Sequence, residues 1–240
     1  MKQFISAMLD FIFPPLCHIC RSFIPDAGEL HICRTCRENL PLVSSPLCTV
    51  CGIPFVGAGD DHICGRCLTN PPHFDYARAH LLHEGSARNL IHAFKYQYKT
   101  HLRRPLTLLA LEGVAGFIAE QKPDAIVPVP LHRLRLRRRG FNQAVLLGKF
   151  FSARLSLPML TKGLLRIRQT EPQIELSGEE RRNNVKGAFA VSDPVCIKGK
   201  RILLLDDVMT TGSTVNECAK ELKKAGALSV IVITVARTAR

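Results

Sequence analysis

ILLLDDVMTTGST, Ile202 to Thr214, is the stretch whose reading decides the fold. Its first four residues are an uninterrupted apolar run with the length and flanks of a strand buried on both faces of a parallel sheet. Asp206 and Asp207 follow, where the carboxyl end of such a strand opens into the ligand crevice of an α/β sheet. Two neighbouring carboxylates there can accept hydrogen bonds from a vicinal diol, or help hold a hydrated Mg²⁺. Thr210, Thr211, Gly212, Ser213 and Thr214 then supply hydroxyls, a permissive glycine and backbone N–H groups, a composition suited to a phosphate monoester at a helix N-terminus. The helix is legible as well: Val215, Cys218, Ala219, Leu222 and Ala225 recur at helical spacing, and Gly226 stops it. The same residues also read as a plain capping turn whose aspartates solvate a strand end.

The whole arrangement resembles the PRPP-binding signature of type I phosphoribosyltransferases, in which four apolar residues precede two acidic ones and a T-[TA]-G-[ST]-T loop. The resemblance implies that Asp206 and Asp207 bind the ribose hydroxyls as the catalytic pair. It also implies that Val208, Met209 and the loop Thr210 to Thr214 contact PRPP around its 5′-phosphate. Family members acting on hypoxanthine or guanine carry an aspartate where this chain has Thr210, so an oxopurine acceptor is not expected.

Cys17, Cys20, Cys33 and Cys36 form C-x2-C-x12-C-x2-C, and Cys48, Cys51, Cys64 and Cys67 repeat that spacing 31 residues later. Each copy carries a His-Ile-Cys at its second knuckle, so an internal duplication is the simplest account. Paired C-x2-C knuckles suit tetrahedral Zn²⁺ with a closed ligand shell, which makes both sites structural. Iron–sulfur clusters, disulfides and redox C-x-x-C pairs use the same residue type. Met1 to Phe13 carries Lys2 and Asp10, runs straight into Pro14 and Pro15, and does not read as a secretory signal. A cytoplasmic chain keeps its thiols reduced, which favours metal over disulfides. Sequential pairing follows from the duplication, and a cross-braced pairing uses the same ligands. Cys196 and Cys218 stand outside the pattern and are expected to be buried thiols.

Composition sets further bounds. The 240 residues, 46% of them hydrophobic, accommodate a zinc module over 1–70 and one α/β domain over 71–240, with Pro71 and Pro72 at the boundary. No apolar segment reaches the roughly 18 residues a membrane span needs. Met1 to Phe13 could form a short amphipathic helix. Phe74 to His83 reads as a strand, and Gly85 to Tyr98 and Leu102 to Gln121 as helices. Lys and Arg total 33 against 20 Asp and Glu, a net charge of +13 that favours anionic partners. The excess is concentrated: Arg133, Arg135, Arg137, Arg138 and Arg139 fall within seven residues, just after the apolar strand Ala125 to Val129.

That run belongs to PVPLHRLRLRRRGFNQ, Pro128 to Gln143, and is followed by QTEPQIELSGEERRNNVKGAF, Gln169 to Phe189. With the double cysteine module and the DDVMTTGST loop, these segments resemble the ComF family of bacterial phosphoribosyltransferase-like proteins (ComFC and GntX-type) over nearly the whole chain. The resemblance implies a type I phosphoribosyltransferase fold, a Rossmann-like parallel sheet, behind a small N-terminal zinc-ribbon domain. It further implies that Val129, Pro130, Leu131 and His132 receive pyrophosphate, and that Arg138 and Arg139 shape the neighbouring wall. Asn142 equally suits a helix cap, and Ser177 with Glu180 a capping box. Gln169 to Gln173 is the candidate closing loop. Arg133 and Arg135, alternating with Leu134 and Leu136, are expected at the surface.

Three functions share these features: phosphoribosyl transfer from PRPP and Mg²⁺ to an unknown acceptor, single-stranded DNA handling in competence and DNA uptake, and PRPP sensing without turnover. Aromatic residues make up only 6% of the chain, and none interrupts the arginine run before Phe141, which weakens a base-stacking surface there.

Overall fold

The computed structural model describes residues 14–25, 27–170 and 178–239, without side chains at 178, 179, 181 and 182. The expectations on Met1 to Phe13, on 171–173 of the closing loop and on Ser177 lie outside the described residues.

Four parallel strands, β1 (Tyr76–Leu82), β2 (Ala125–Pro128), β5 (Arg201–Met209) and β6 (Ser229–Arg237), form one sheet in the order β1-β6-β5-β2. Strand β5 is central. Leu203 registers with Ile126 on one side and Ile231 on the other, and the side chains alternate between two cores. Ile202, Leu204, Val230 and Val232 face the core that includes α8 (Ser213–Lys224). Leu203, Leu205, Ile231 and Ile233 face α3 (Gly85–Tyr96), α4 (Arg103–Gln121) and α6 (Gln143–Leu155). This two-sided burial is why the strand reads as a continuous apolar run, and each such side chain contributes roughly 2 kcal/mol on burial. An antiparallel pair, β3 (Leu164–Arg166) and β4 (Phe189–Val191), lies off the main sheet. Between these strands comes α7 (Gly178–Val185).

The cysteine module docks on β1, whose outer edge would otherwise be open. Val43 N–H donates to His80 O and Leu82 N–H to Pro41 O, both at 2.8 Å. Ala77 N–H donates to Val50 O at 2.8 Å, and a Cβ on Gly52, at φ +70, would stand 2.5 Å from Ala77 O. Only glycine permits that approach. The two copies repeat in three dimensions, since short helices α1 (Arg34–Glu38) and α2 (Gly65–Thr69) each start from the third cysteine of their set, Cys33 and Cys64. No helix among the described residues is long and apolar enough to cross a membrane.

Candidate functional site

The eight module cysteines gather as two sets, Cys17, Cys20, Cys33, Cys36 and Cys48, Cys51, Cys64, Cys67, each with its sulfurs within 4.8 Å of one another. Pairing is therefore sequential. Cys20 Sγ lies 3.7 Å from Cys33 Sγ and Cys51 Sγ 3.8 Å from Cys64 Sγ. A tetrahedron of ~2.3 Å Zn–S bonds places its sulfurs about 3.8 Å apart, and a disulfide needs ~2.05 Å, so the sets fit zinc. Backbone N–H groups support the first sulfur of each set: Ile19 and Cys33 donate to Cys17, Cys51 and Cys64 to Cys48. Cys218 is buried as expected, whereas Cys196 is only half-buried, its thiol donating to Asp193 Oδ2 at 3.0 Å on an exposed turn.

At the carboxyl end of β5 the strand continues through Asp206 and Asp207 to Met209. Adjacent strand residues point to opposite faces, and the structure splits the carboxylates accordingly. Asp207 turns to the α3 side, is 8% exposed, and receives Lys95 Nζ at 2.8 Å. Asp206 turns to the α8 side, where Cys218 and Arg166 are its neighbours, and its Oδ1 accepts the Asp207 N–H at 2.9 Å. Burial pushes the Asp206 carboxyl up to about 7, and the Asp207 charge adds to that push. The neighbouring carboxylates thus flank the strand end on opposite faces, and Asp207 is a buried, ion-paired group.

Beyond Met209 the chain turns through Thr210, Thr211 and Gly212 into α8. Gly212 sits at φ +78, and an added Cβ would stand 2.8 Å from Met209 Cε, so this hinge favours glycine twice over. Gly212, the residue at the cap position, has no side chain to offer the helix. Thr211 Oγ1 and Ser213 Oγ lie 2.8 Å apart beside the helix N-terminus, and Thr211 Oγ1 also accepts Ser213 N–H at 3.4 Å. Arg66 of the second zinc set donates through Nη1 to Thr211 O at 3.1 Å, so the module braces this loop from outside. Below it the buried Arg237 guanidinium at the end of β6 donates to Cys51 O, tying the same metal set to the sheet.

The third part of the crevice follows β2. Val129 N–H donates to Leu205 O at 2.9 Å, and Pro130, Leu131 and His132 lead into α5 (Arg133–Arg139). His132 Nδ1 caps that helix by accepting Leu134 N–H, and Gly140, at φ +76, ends it. Asn142 accepts from Ala144 N–H at 2.9 Å as the α6 cap, and donates through Nδ2 to Val129 O at 3.0 Å, so one side chain fixes both the helix and the loop.

The arginine run is therefore a helix, which corrects the surface expectation for Arg135, while Arg133 is exposed as expected. Arg135 and Arg139, one helical turn apart, point inward, while Arg133, Arg137 and Arg138 are exposed together with Leu134 and Leu136. Arg135 reaches Thr170 O at 3.4 Å, and burial pulls its pKa below the usual arginine range. Arg139 donates to Gln143 Oε1 at 3.0 Å and stacks 4.9 Å from the Tyr96 ring. Gln143 is 2% exposed and its Nε2 has no partner among the described residues.

Sequence reasoning missed Lys95 and Arg166. Both signals were present. Lys95 follows the inward Phe94 and stands one turn after Ile91, and Arg166 shares its strand face with the buried Leu164. Arg166 donates to Thr170 Oγ1, so Thr170, where the closing-loop candidate leaves the described residues, is held by two arginines.

A parallel sheet carrying a strand-end acidic pair and a phosphate-type loop, joined to two four-cysteine sets, defines a phosphoribosyltransferase-type domain behind a double zinc ribbon. Family models agree: the double zinc ribbon domain matches residues 8–68 and the phosphoribosyl transferase domain residues 142–240. Competence protein F of Haemophilus influenzae and DNA utilization protein YhgH of Escherichia coli (strain K12) are each 39% identical over 152 residues, covering 62% of this chain and 66% of theirs. Competence protein ComFC of Streptococcus pneumoniae is 32% identical over 128 residues, 51% of this chain and 54% of its own. The chain thus belongs to the ComF family of competence protein F, ComFC and YhgH, and the match spans 66% of the length of the first two relatives.

Proposed function

We propose that this protein binds PRPP at the β5–α8 turn and transfers its phosphoribosyl group to an acceptor. The observation that carries the reading is the continuity of Asp206, Asp207 and the hydroxyl-lined Thr210–Thr214 turn at the N-terminus of α8, which starts from a glycine. The helix N-terminus favours a 5′-phosphate, and Asp206, once ionised, accepts from a ribose hydroxyl. Asp207 offers the oxygen that Lys95 leaves open. Val129 to His132 and the inward Arg135 and Arg139 form the cationic wall toward which pyrophosphate would depart. Mg²⁺ would neutralise pyrophosphate charge, held by one strand-end carboxylate and the ligand's own oxygens rather than by a protein cage.

A second reading, single-stranded DNA handling, is favoured by one observation. Tyr96 and Tyr98, 47% and 64% exposed, lie beside the arginine helix, with Arg139 over Tyr96 and Tyr98 edge-on to Phe141. The fold thereby brings to the arginines the stacking faces that the run itself lacks. The relatives named for competence and DNA utilization lend it support. Measuring PRPP and single-stranded DNA binding on one preparation, each competing with the other, tests both readings. PRPP binding with pyrophosphate release on adding a nucleophile supports the first; DNA binding without any PRPP affinity would replace it with the second.

A further inference from the structure

A cavity of about 480 Å³ lies between the second zinc set, α7 and the flank of α8. None of Asp206, Asp207, Val129 to His132, Arg138 or Arg139 lines it. It touches the phosphate-type loop at Thr211 to Ser213 and runs along α8 to Lys220, about 10 Å further at 1.5 Å per residue. Its size falls within the range of about 300–1,000 Å³ typical of small-molecule sites.

Three cations line it: Arg66 from α2, Lys186 after α7, and Lys220 from α8. Among the described residues Glu217 is the one acid in the lining; its Oε1 accepts Gly187 N–H at 2.8 Å and lies 3.8 Å from Lys220 Nζ. The balance of three cations against one carboxylate matches a phosphate monoester, which carries about two negative charges at neutral pH. Three amides from separate elements, Asn70, Asn183 and Asn216, offer the donor and acceptor edges that pair with a nucleobase. Asn216 Oδ1 already accepts His73 N–H at 2.7 Å, so its Nδ2 is the group left for a ligand. Pro72 and Phe74 give the opposite wall flat apolar surface.

We propose that this cavity is a second ligand site, for a nucleoside 5′-monophosphate, with the phosphate between Lys186 and Lys220 and the base against the asparagine and proline wall. Arg66 serves both sites, because the guanidinium that lines the cavity also holds Thr211 O of the PRPP loop. Occupation is thereby linked to the loop through this side chain as well as through the direct contact at Thr211 to Ser213. The proposal stands independently of whether PRPP is turned over.

The test is calorimetry of adenosine 5′-monophosphate, and separately of inorganic phosphate, with the zinc-loaded full-length protein. One molecule of the nucleotide binds, at least tenfold more tightly than phosphate. Lys186→Ala/Lys220→Ala weakens the nucleotide at least tenfold and changes PRPP affinity by less than twofold. Asp207→Asn does the reverse, weakening PRPP and leaving the nucleotide within twofold. Absence of nucleotide binding, binding that survives the double lysine variant, loss in Asp207→Asn, or equal affinity for phosphate would each overturn the assignment. Loss of PRPP binding alone would instead count against the transferase reading.

Discussion

Lys95→Met tests the reading of the strand end most sharply, because it removes the counter-ion of Asp207 while keeping the aliphatic bulk. The ammonium lies 2.8 Å from Asp207 Oδ1, and the two side chains are only 19% and 12% exposed. Breaking such a pair from one side leaves a charge in a poorly solvated place beside a second carboxylate, and costs about 3–5 kcal/mol in well-buried cases. With this residual exposure the low end applies, about 3 kcal/mol, which for a chain of this size lowers Tm by roughly 6–12 °C. Adding Asp207→Asn removes the stranded charge, so the double variant should regain about 2 kcal/mol. Urea unfolding at pH 7.5 followed by far-ultraviolet circular dichroism, with zinc content checked before each run, reads both effects. A single variant within 0.5 kcal/mol of the parent, or a double variant whose losses simply add, would refute the buried-pair reasoning.

The remaining predictions concern metal, pH and the arginines. Elemental analysis should find two zinc ions per chain; Cys67→Ala should lower PRPP affinity more than Cys36→Ala, since only the second set reaches the PRPP loop through Arg66 and the sheet through Arg237. Equal effects would remove that link. Because the folded-state value of Asp206 is raised, the folded protein holds this proton more tightly than the unfolded chain does. Stability should therefore fall as pH rises from about 4 through about 7, by up to about 4 kcal/mol, and Asp206→Asn should flatten the fall. PRPP affinity, needing the ionised form, should strengthen over the same window, and a flat profile in calorimetry would contradict the role. Arg135→Ala and Arg139→Ala should weaken PRPP at least fivefold and Arg138→Ala less than twofold; a larger loss for Arg138 would reverse the helical assignment.

Much of this could be read from the chain because the strongest signals were local. The apolar tetrad before Asp206, the helical spacing after Ser213 and the duplicated cysteine spacing each depend on neighbours in sequence, and each appears where expected. What escaped depended on packing between distant segments. Lys95 comes from a helix far along the chain, and nothing near Asp207 in sequence announces that it is buried. Arg135 escaped for a different reason: Arg-Leu-Arg-Leu satisfies a period of two, yet the His132 cap and the Gly140 stop make the segment helical. Tyr96 and Tyr98 meet that helix only through the fold, so a stacking surface invisible in the run is present in space.

Calorimetric titration of PRPP with Mg²⁺ into the zinc-loaded protein tests the central claim most directly. The account predicts saturable binding of one PRPP per chain, weakened at least tenfold in both Asp206→Asn and Gly212→Val while the zinc content stays at two. No heat of binding, or an affinity that both variants leave unchanged, would contradict it.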